Sequence, residues 1–190
     1  MQCQSEPMLV TPSIKHLVAY ESALRRGWSP DNLRDADAAK EQIEAIERDP
    51  EAFVRSLDDP GALGEPIKLP DCSLISRLPS IVRWVWDGDI AGSIGFRWQP
   101  GTSILPAHVL GHIGFFIVPW RRDRGYAKHA LAIMLGEARL RGLDAVELTT
   151  TTDNIASQRV MVANGAVFIN QFKRAASYGG GEGVRFRIML

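Results

Sequence analysis

Residues 111–151 carry the pattern that most restricts the fold of this chain. A nearly unbroken apolar run, GHIGFFIV (Gly111–Val118), leads into PWRRDR and then a glycine at position 125. An amphipathic segment follows, from about Arg124 to Arg141. Ala127, Ala130, Leu131, Met134, Leu135 and Ala138 share one face of it, and Gly142 stands at its end. Directly after comes AVELTTT (Ala145–Thr151), a second strand signal. The first apolar run is expected to be a central strand. The 3.6-residue period marks a helix stopped by glycine, and AVELTTT marks a buried strand.

The turn between strand and helix is chemically unusual. Arg121, Arg122 and Arg124 crowd the end of a helix whose dipole is already positive, an arrangement that is repulsive unless an anion sits there. A strand end, a tight turn and a helix start also aim unpaired backbone N–H groups at one point, which suits phosphate oxygens. Gly125 lets the backbone approach such a ligand closely, and Ala127 is small for the same reason. The plainer alternative is that the arginines are solvated surface residues and Gly125 merely eases a turn. Other phosphate loops fit less well. The chain has no G-x-x-x-x-G-K-[ST], and YGGGEGV precedes a strand, unlike a dinucleotide fingerprint.

The rest of the sequence supplies a sheet and its covering helices. A helix is expected from a cap at Thr11–Pro12 to Gly27, with Ile14, Leu17, Val18 and Leu24 as its apolar residues. A second opens at Asp35 and turns Ala39, Ile43 and Ile46 inward. Asp49-Pro50 stops it and starts a short third helix with Phe53, Val54 and Leu57. From Asp58 to Cys72 the Pro- and Gly-rich sequence reads as a surface loop. SIVRWVW (Ser80–Trp86) and IAGSIGFRW (Ile90–Trp98), joined at Asp87-Gly88-Asp89, read as an antiparallel hairpin. Downstream lie a helix with Ser157, Val160 and Met161 that stops at Asn164-Gly165, a strand AVFINQF, a glycine-rich turn, and a final strand VRFRIML. Hairpins first and strands separated by helices later indicate an α/β (α+β) fold, a mixed sheet with helices on its faces.

With 190 residues, 45% of them hydrophobic, the chain is sized for one domain over 1–190: a helical part and loop over 1–72, a sheet core over 80–190. Twenty-two basic residues balance twenty-two acidic ones, which disfavours a nucleic-acid partner and makes the arginine cluster a local device. Cys3 and Cys72 have no metal-ligand or CxxC spacing, so neither a metal nor a disulfide framework is indicated. The start lacks a signal-peptide pattern, and no apolar run is long enough to span a bilayer. The expectation is a cytoplasmic protein with no membrane partner.

Ile117-Val118-Pro119-Trp120-Arg121-Arg122-Asp123-Arg124-Gly125-Tyr126-Ala127 resembles the acetyl-CoA motif V-x-P-x-x-[QR]-x-x-G-x-[GA] of the GNAT superfamily of N-acetyltransferases. DNIASQRVMVANGAVF (Asp153–Phe168) resembles its second motif, N-x-x-[AS] followed by N-G-[AF]. GSIGFRW and GHIGF together with TTTTDNIAS are similar to a bacterial branch of predicted acetyltransferases. The resemblance implies a mostly antiparallel sheet in which two parallel strands, Gly111–Val118 and Ala145–Thr151, splay apart to admit pantetheine. It implies acetyl-CoA as co-substrate and no metal. Phe116, Ile117 and Val118 would pair with pantetheine. The amides of Arg122, Asp123, Arg124, Gly125, Tyr126, Ala127 and Lys128 would hold the pyrophosphate. Asn154 and Ser157 would meet the cofactor from the second motif. Asn154 is equally suited to be a plain helix N-cap.

The implied reaction is direct attack of an amine on the thioester, with positioning and a fixed oxyanion donor as the enzyme's main contributions. His112 stands where many relatives carry a strand glutamate. It is either a base for the ammonium proton or a core histidine satisfied by the backbone. Where many members have a tyrosine that protonates the departing thiolate, seven residues after Asn154, this chain has Met161. Either the thiolate leaves unaided or Tyr126, Tyr178 or a water takes over. Trp84, Trp86, Phe96, Trp98 and Phe115 line an acceptor pocket or fill the sheet core. The expected acceptor is an amine of a small molecule, peptide or protein, and a homodimer is compatible with it. A rival reading is a non-catalytic acyl-CoA-binding or sensing module on the same fold.

Overall fold

Asp49-Pro50 illustrates how closely local chemistry sets the helical part. In the computed structural model, which describes residues 8–68 and 74–190, Asp49 ends α2 (Asp35–Arg48) and caps α3 (Pro50–Ser56). Its carboxylate accepts the Ala52 N–H at 2.9 Å, and Pro50 occupies the first helical position, where no donor is needed. Cys3 and Cys72 lie outside the described residues.

Two compact units are present, each built from separate stretches. The described residues of the first are 8–58, 81–95 and 115–130; those of the second are 59–68, 74–80, 96–114 and 131–190.

In the first unit, β1 (Met8–Val10) pairs antiparallel with β4 (Ser80–Trp86), Met8 opposite Trp86 and Val10 opposite Trp84. This added strand carries the extended chain past Val10. The next helix, α1 (Ile14–Arg25), therefore starts after Ser13, later than the expected Thr11–Pro12 cap. Its inward face also differs from expectation. Ile14 and Val18 are 48% and 78% exposed, whereas Leu17, Tyr20, Ala23 and Leu24 are buried. Tyr20 sets that face: it stacks on Trp84 at 4.4 Å and meets Trp28 edge-on at 5.5 Å. With Ala39, Ile46, Phe53, Ile90 and Val118 these residues form one core.

The four-stranded sheet runs β1-β4-β5-β6, with β5 at Ile90–Arg97 and β6 at Ile113–Ile117. β6, expected to be central, is instead the last strand of this sheet. Its burial agrees, since only Ile113 is fully buried and residues 114–117 are half-exposed. An apolar run is equally what a strand needs when its outer edge is left for another group. The segment read as a surface loop contributes one strand, β2 (Ile67–Lys68), to a short ladder with β3 (Leu74–Ile75), which follows it.

In the second unit, β7 (Ala145–Thr151) pairs antiparallel with β9 (Glu182–Met189), which pairs in turn with β8 (Val167–Lys173). β7, expected to be buried throughout, alternates. Val146 and Leu148 are fully buried opposite Ile188 and Phe186, while Glu147 on the other face binds Arg185 at 3.1 Å and Arg187 at 2.6 Å. The helix α4 (Tyr126–Leu140) buries Ala130, Leu131, Met134, Leu135 and Ala138 as its period requires. Gly142, at φ 73°, ends it with the Leu143 N–H bonded to the Ala138 carbonyl. α5 (Ile155–Val162) stops before Gly165, at φ 85°.

The fold is thus mixed α/β with antiparallel ladders, and β6 and β7 lie in different sheets. Near the start of β6 the His112 N–H still donates to the Glu147 carbonyl at 2.7 Å. Among the described residues, no helix is long and apolar enough to cross a membrane.

Candidate active site

Backbone proximity fixes the end of β6. The Val118 N–H donates to the Ala91 carbonyl at 3.0 Å, and β5 approaches so closely that a Cβ on Gly92 would lie 2.3 Å from the Phe116 oxygen and 3.0 Å from the Ile117 Cα. Neither atom belongs to a flexible side-chain tip, so the strand itself would have to move. Gly92→Ala is therefore expected to displace Phe116–Val118 and to cost about 1–3 kcal/mol, as overpacking does. Thermal unfolding of the variant checks the cost.

Beyond Val118 the chain makes a 3₁₀ turn, Pro119–Arg121, and then a bend in which Asp123 (φ 61°) and Gly125 (φ 81°) are both left-handed. The His129 N–H bonds to the Gly125 carbonyl, so Gly125 is the N-cap of α4. Glycine has no side chain with which to cap the first-turn amides. A Cβ at Gly125 would meet nothing within 4 Å. Arg122, Asp123, Arg124 and Lys128 are exposed around that open space. A short turn that leads into a helix start beside exposed cationic side chains suits a phosphate-like anion.

The three arginines do not act alike. Arg121 is held by Asp87 at 2.9 Å, with Asp89 at 3.9 Å, and the Tyr126 hydroxyl donates to the same Asp87 oxygen. Arg122 donates through Nε to the Ile117 carbonyl at 3.3 Å. Among the described residues, Arg124 has no partner. Part of the anion implied by the crowded helix start is thus the protein's own carboxylate. Burial above all, then Asp87, raises the Tyr126 pKa, so its phenol stays a donor. Asp87 and Gly92 carry no local signal in the sequence beyond a turn and a strand glycine.

His112, Asn154 and Met161 belong to the second unit. His112 is fully buried. Its Nδ1 accepts the Glu147 N–H at 2.9 Å, which puts the ring proton on Nε2, and Nε2 has no partner among the described residues. Burial lowers its pKa and keeps the ring neutral. With Nδ1 accepting and Nε2 protonated, the imidazole has no free lone pair, and its buried Nε2–H meets no backbone carbonyl among the described residues.

Asn154 caps α5, accepting the Ser157 N–H at 3.1 Å through Oδ1. Among the described residues its Nδ2 has no hydrogen-bond partner. Capping and ligand contact therefore do not compete for the same atom. Met161 is 2% exposed. Both tyrosines suggested as replacement acids are engaged: Tyr126 with Asp87, and Tyr178 with the His108 carbonyl. Trp84, Phe96 and Trp98 are buried, which gives them the core role, whereas Trp86 and Phe115 are partly exposed. No group of three or more His, Cys, Asp or Glu among the described residues is arranged to hold a metal ion.

Residues 33–165, which include parts of both units, match the model of the acetyltransferase (GNAT) family. The chain belongs to that family. No curated protein matches this GNAT acetyltransferase. Its fold is similar to that of RimL, a ribosomal L7/L12 alpha-N-protein acetyltransferase in complex with coenzyme A (TM-score 0.64, 13% identity, 98% of this chain and 96% of that one). It is likewise similar to the microcin C7 self-immunity acetyltransferase MccE bound to acetyl-CoA and AMP (TM-score 0.62, 11% identity, 98% and 93%). A third likeness is to a Salmonella typhimurium acetyltransferase that modifies the N-terminal serine of L7/L12 (TM-score 0.61, 14% identity, 97% and 95%). At these identities the likeness is one of fold.

Proposed function

We propose that this GNAT acetyltransferase, acting as one catalytic domain over residues 1–190, moves an acetyl group from acetyl-CoA to a primary amine of a small molecule, peptide or protein. The observation that carries this reading is the turn at 122–125 leading into α4, with two left-handed residues, open space before Gly125 and an exposed Arg124 unpartnered among the described residues. The amides of Arg122 to Lys128 hold the pyrophosphate, which the helix dipole also favours. Phe116, Ile117 and Val118, at the end of the strand that is last in its sheet among the described residues, pair with pantetheine as an added strand would. Asn154, whose Nδ2 has no hydrogen-bond partner among the described residues, and Ser157 stand at the start of α5 as the candidates of the second motif.

In a ternary complex the neutral amine attacks the thioester carbonyl, the C–N bond forms and the C–S bond breaks, CoA departs as the thiolate, and the proton lost from the nitrogen passes to solvent. A thiolate leaves readily, and the engaged hydroxyls of Tyr126 and Tyr178 support unaided departure. Acetylation of a panel of amines, followed by release of free CoA thiol, tests the proposal. Acetyl-CoA binding without amine-dependent thiol release would instead support the non-catalytic sensing module.

The buried setting of Met161 bears on the missing acid. Met161→Tyr is expected to overpack this site and to cost about 1–3 kcal/mol without raising the rate. A rate gain above about tenfold, or about 1.4 kcal/mol of barrier, would show that thiolate protonation limits turnover. Steady-state kinetics with a melting curve check both parts.

A further inference from the structure

We propose that Asp87 is a positioning residue for the acetyl donor: its carboxylate fastens both ends of the turn at 122–125, through Arg121 on one side and Tyr126 on the other. This inference rests on the reading of that turn as the acetyl-CoA phosphate site.

The turn is otherwise held at its start, where Arg122 donates through Nε to the Ile117 carbonyl and through its N–H to the Pro119 carbonyl. Arg122, Asp123, Arg124 and Gly125 are all exposed, so no apolar side chain anchors it. Asp123 is a non-glycine residue in the left-handed region, a conformation that persists only where surroundings impose it. Val118 precedes the turn and is fully buried, and Tyr126 follows it and is buried. Arg121 and Tyr126 converge on one oxygen of Asp87, which lies 34 and 39 residues earlier in the β4–β5 turn. Asp87 is therefore the point through which a rigid hairpin dictates where the turn begins and where α4 starts.

The carboxylate's environment shows that this is no casual surface pair. Its side chain is 13% exposed, and Oδ1 is buried without a partner among the described residues. Burying an anion with one oxygen unpaired is unfavourable unless the other oxygen is strongly bound, and a guanidinium and a phenol supply that. Asp87 also neutralises Arg121. A helix start already positive would otherwise face three adjacent guanidiniums, whose repulsion would splay the turn before any phosphate arrived. Internal neutralisation of one of them keeps the amides arranged in the free enzyme, so ligand binding does not have to order them.

The test compares wild type, Asp87→Asn, Tyr126→Phe and the double variant, using calorimetric binding of free CoA and kinetics with acetyl-CoA varied. Asp87→Asn is expected to weaken CoA binding and raise the KM for acetyl-CoA by roughly tenfold, while kcat at saturating acetyl-CoA and the acceptor KM stay near wild type. Tyr126→Phe removes a single bond and should produce a smaller change in the same direction. In the double variant the losses should fall short of additive, because both act through one carboxylate. A merely structural carboxylate would instead lower the melting temperature and kcat with KM unchanged, and that result overturns the proposal. So does CoA affinity of Asp87→Asn equal to wild type while Gly125→Asp abolishes binding, which leaves the phosphate site standing. If wild type itself binds no CoA, the site reading fails and this inference fails with it. Should Asp87→Asn not fold, Tyr126→Phe decides alone: unchanged CoA affinity overturns the proposal, and a severalfold loss supports it.

Discussion

Gly125→Asp is expected to abolish the stabilisation that acetyl-CoA gives the wild-type protein. A ligand at about 100 times its dissociation constant stabilises a fold by roughly 2.7 kcal/mol, which in a chain of this size raises the melting temperature by about 5–10 °C. The substitution is a sharp probe because the protein itself has room for it. Nothing lies within 4 Å of a Cβ at Gly125, so the new side chain starts in open space. Position 125 is left-handed, at φ 81°, and aspartate tolerates that region better than most residues. The free variant should therefore melt only slightly below wild type, and the loss should appear in the ligand-dependent part. It places negative charge and bulk where phosphate oxygens are proposed to sit. Gly125→Asn, of the same shape without the charge, should retain part of the shift. A full wild-type shift in Gly125→Asp would remove this turn from the cofactor site.

Features written in short stretches of chain are legible in the residues alone. Asp49-Pro50 specifies a helix stop and a helix start through one carboxylate and one missing N–H. The face of α4 follows from its period, and Gly142 ends the helix through its backbone freedom. The turn at 122–125 is also readable, since glycine, small residues and crowded cations are local. Illegible are features created by partners distant in sequence. Val18 has the character of a core residue, yet α1 turns it outward because Tyr20 must reach Trp84, 64 positions away. Gly111–Val118 is apolar enough for a central strand, and only its pairing shows that β6 ends its sheet. Arg121 reads as a free cation until Asp87 is seen against it. Asn154 admits two readings, and both remain chemically available because they use different atoms of one amide.

His112→Asn is expected to leave the acidic limb of the pH–rate profile in place and to change the pH dependence of stability instead. Asparagine can accept the Glu147 N–H through Oδ1 much as Nδ1 does, but it cannot titrate. In the wild type, burial holds the ring's folded-state pKa below the unfolded value of about 6.5, with Arg97 adding to the lowering and the Glu147 carboxylate opposing it. The unfolded chain therefore binds a proton that the folded chain resists. Stability conferred by this neutral ring is complete above about pH 6.5 and is lost as pH falls toward the folded pKa, at a slope of at most about 1.4 kcal/mol per pH unit. At pH 7.5 the variant should be the less stable protein, since a smaller side chain leaves a cavity where the imidazole was. That deficit should shrink as pH is lowered to about 5, where only the wild type is still losing stability through this site. His16, whose pKa is also lowered by burial and then by Lys15, is common to both proteins and cancels in the difference. Denaturant unfolding at several pH values measures the deficit directly. Were His112 the base for the incoming ammonium, the same variant would instead lose roughly 10²-fold in rate and its acidic limb would move. A pH-independent stability deficit together with a displaced limb would return the ring to proton transfer and reject its assignment to the core.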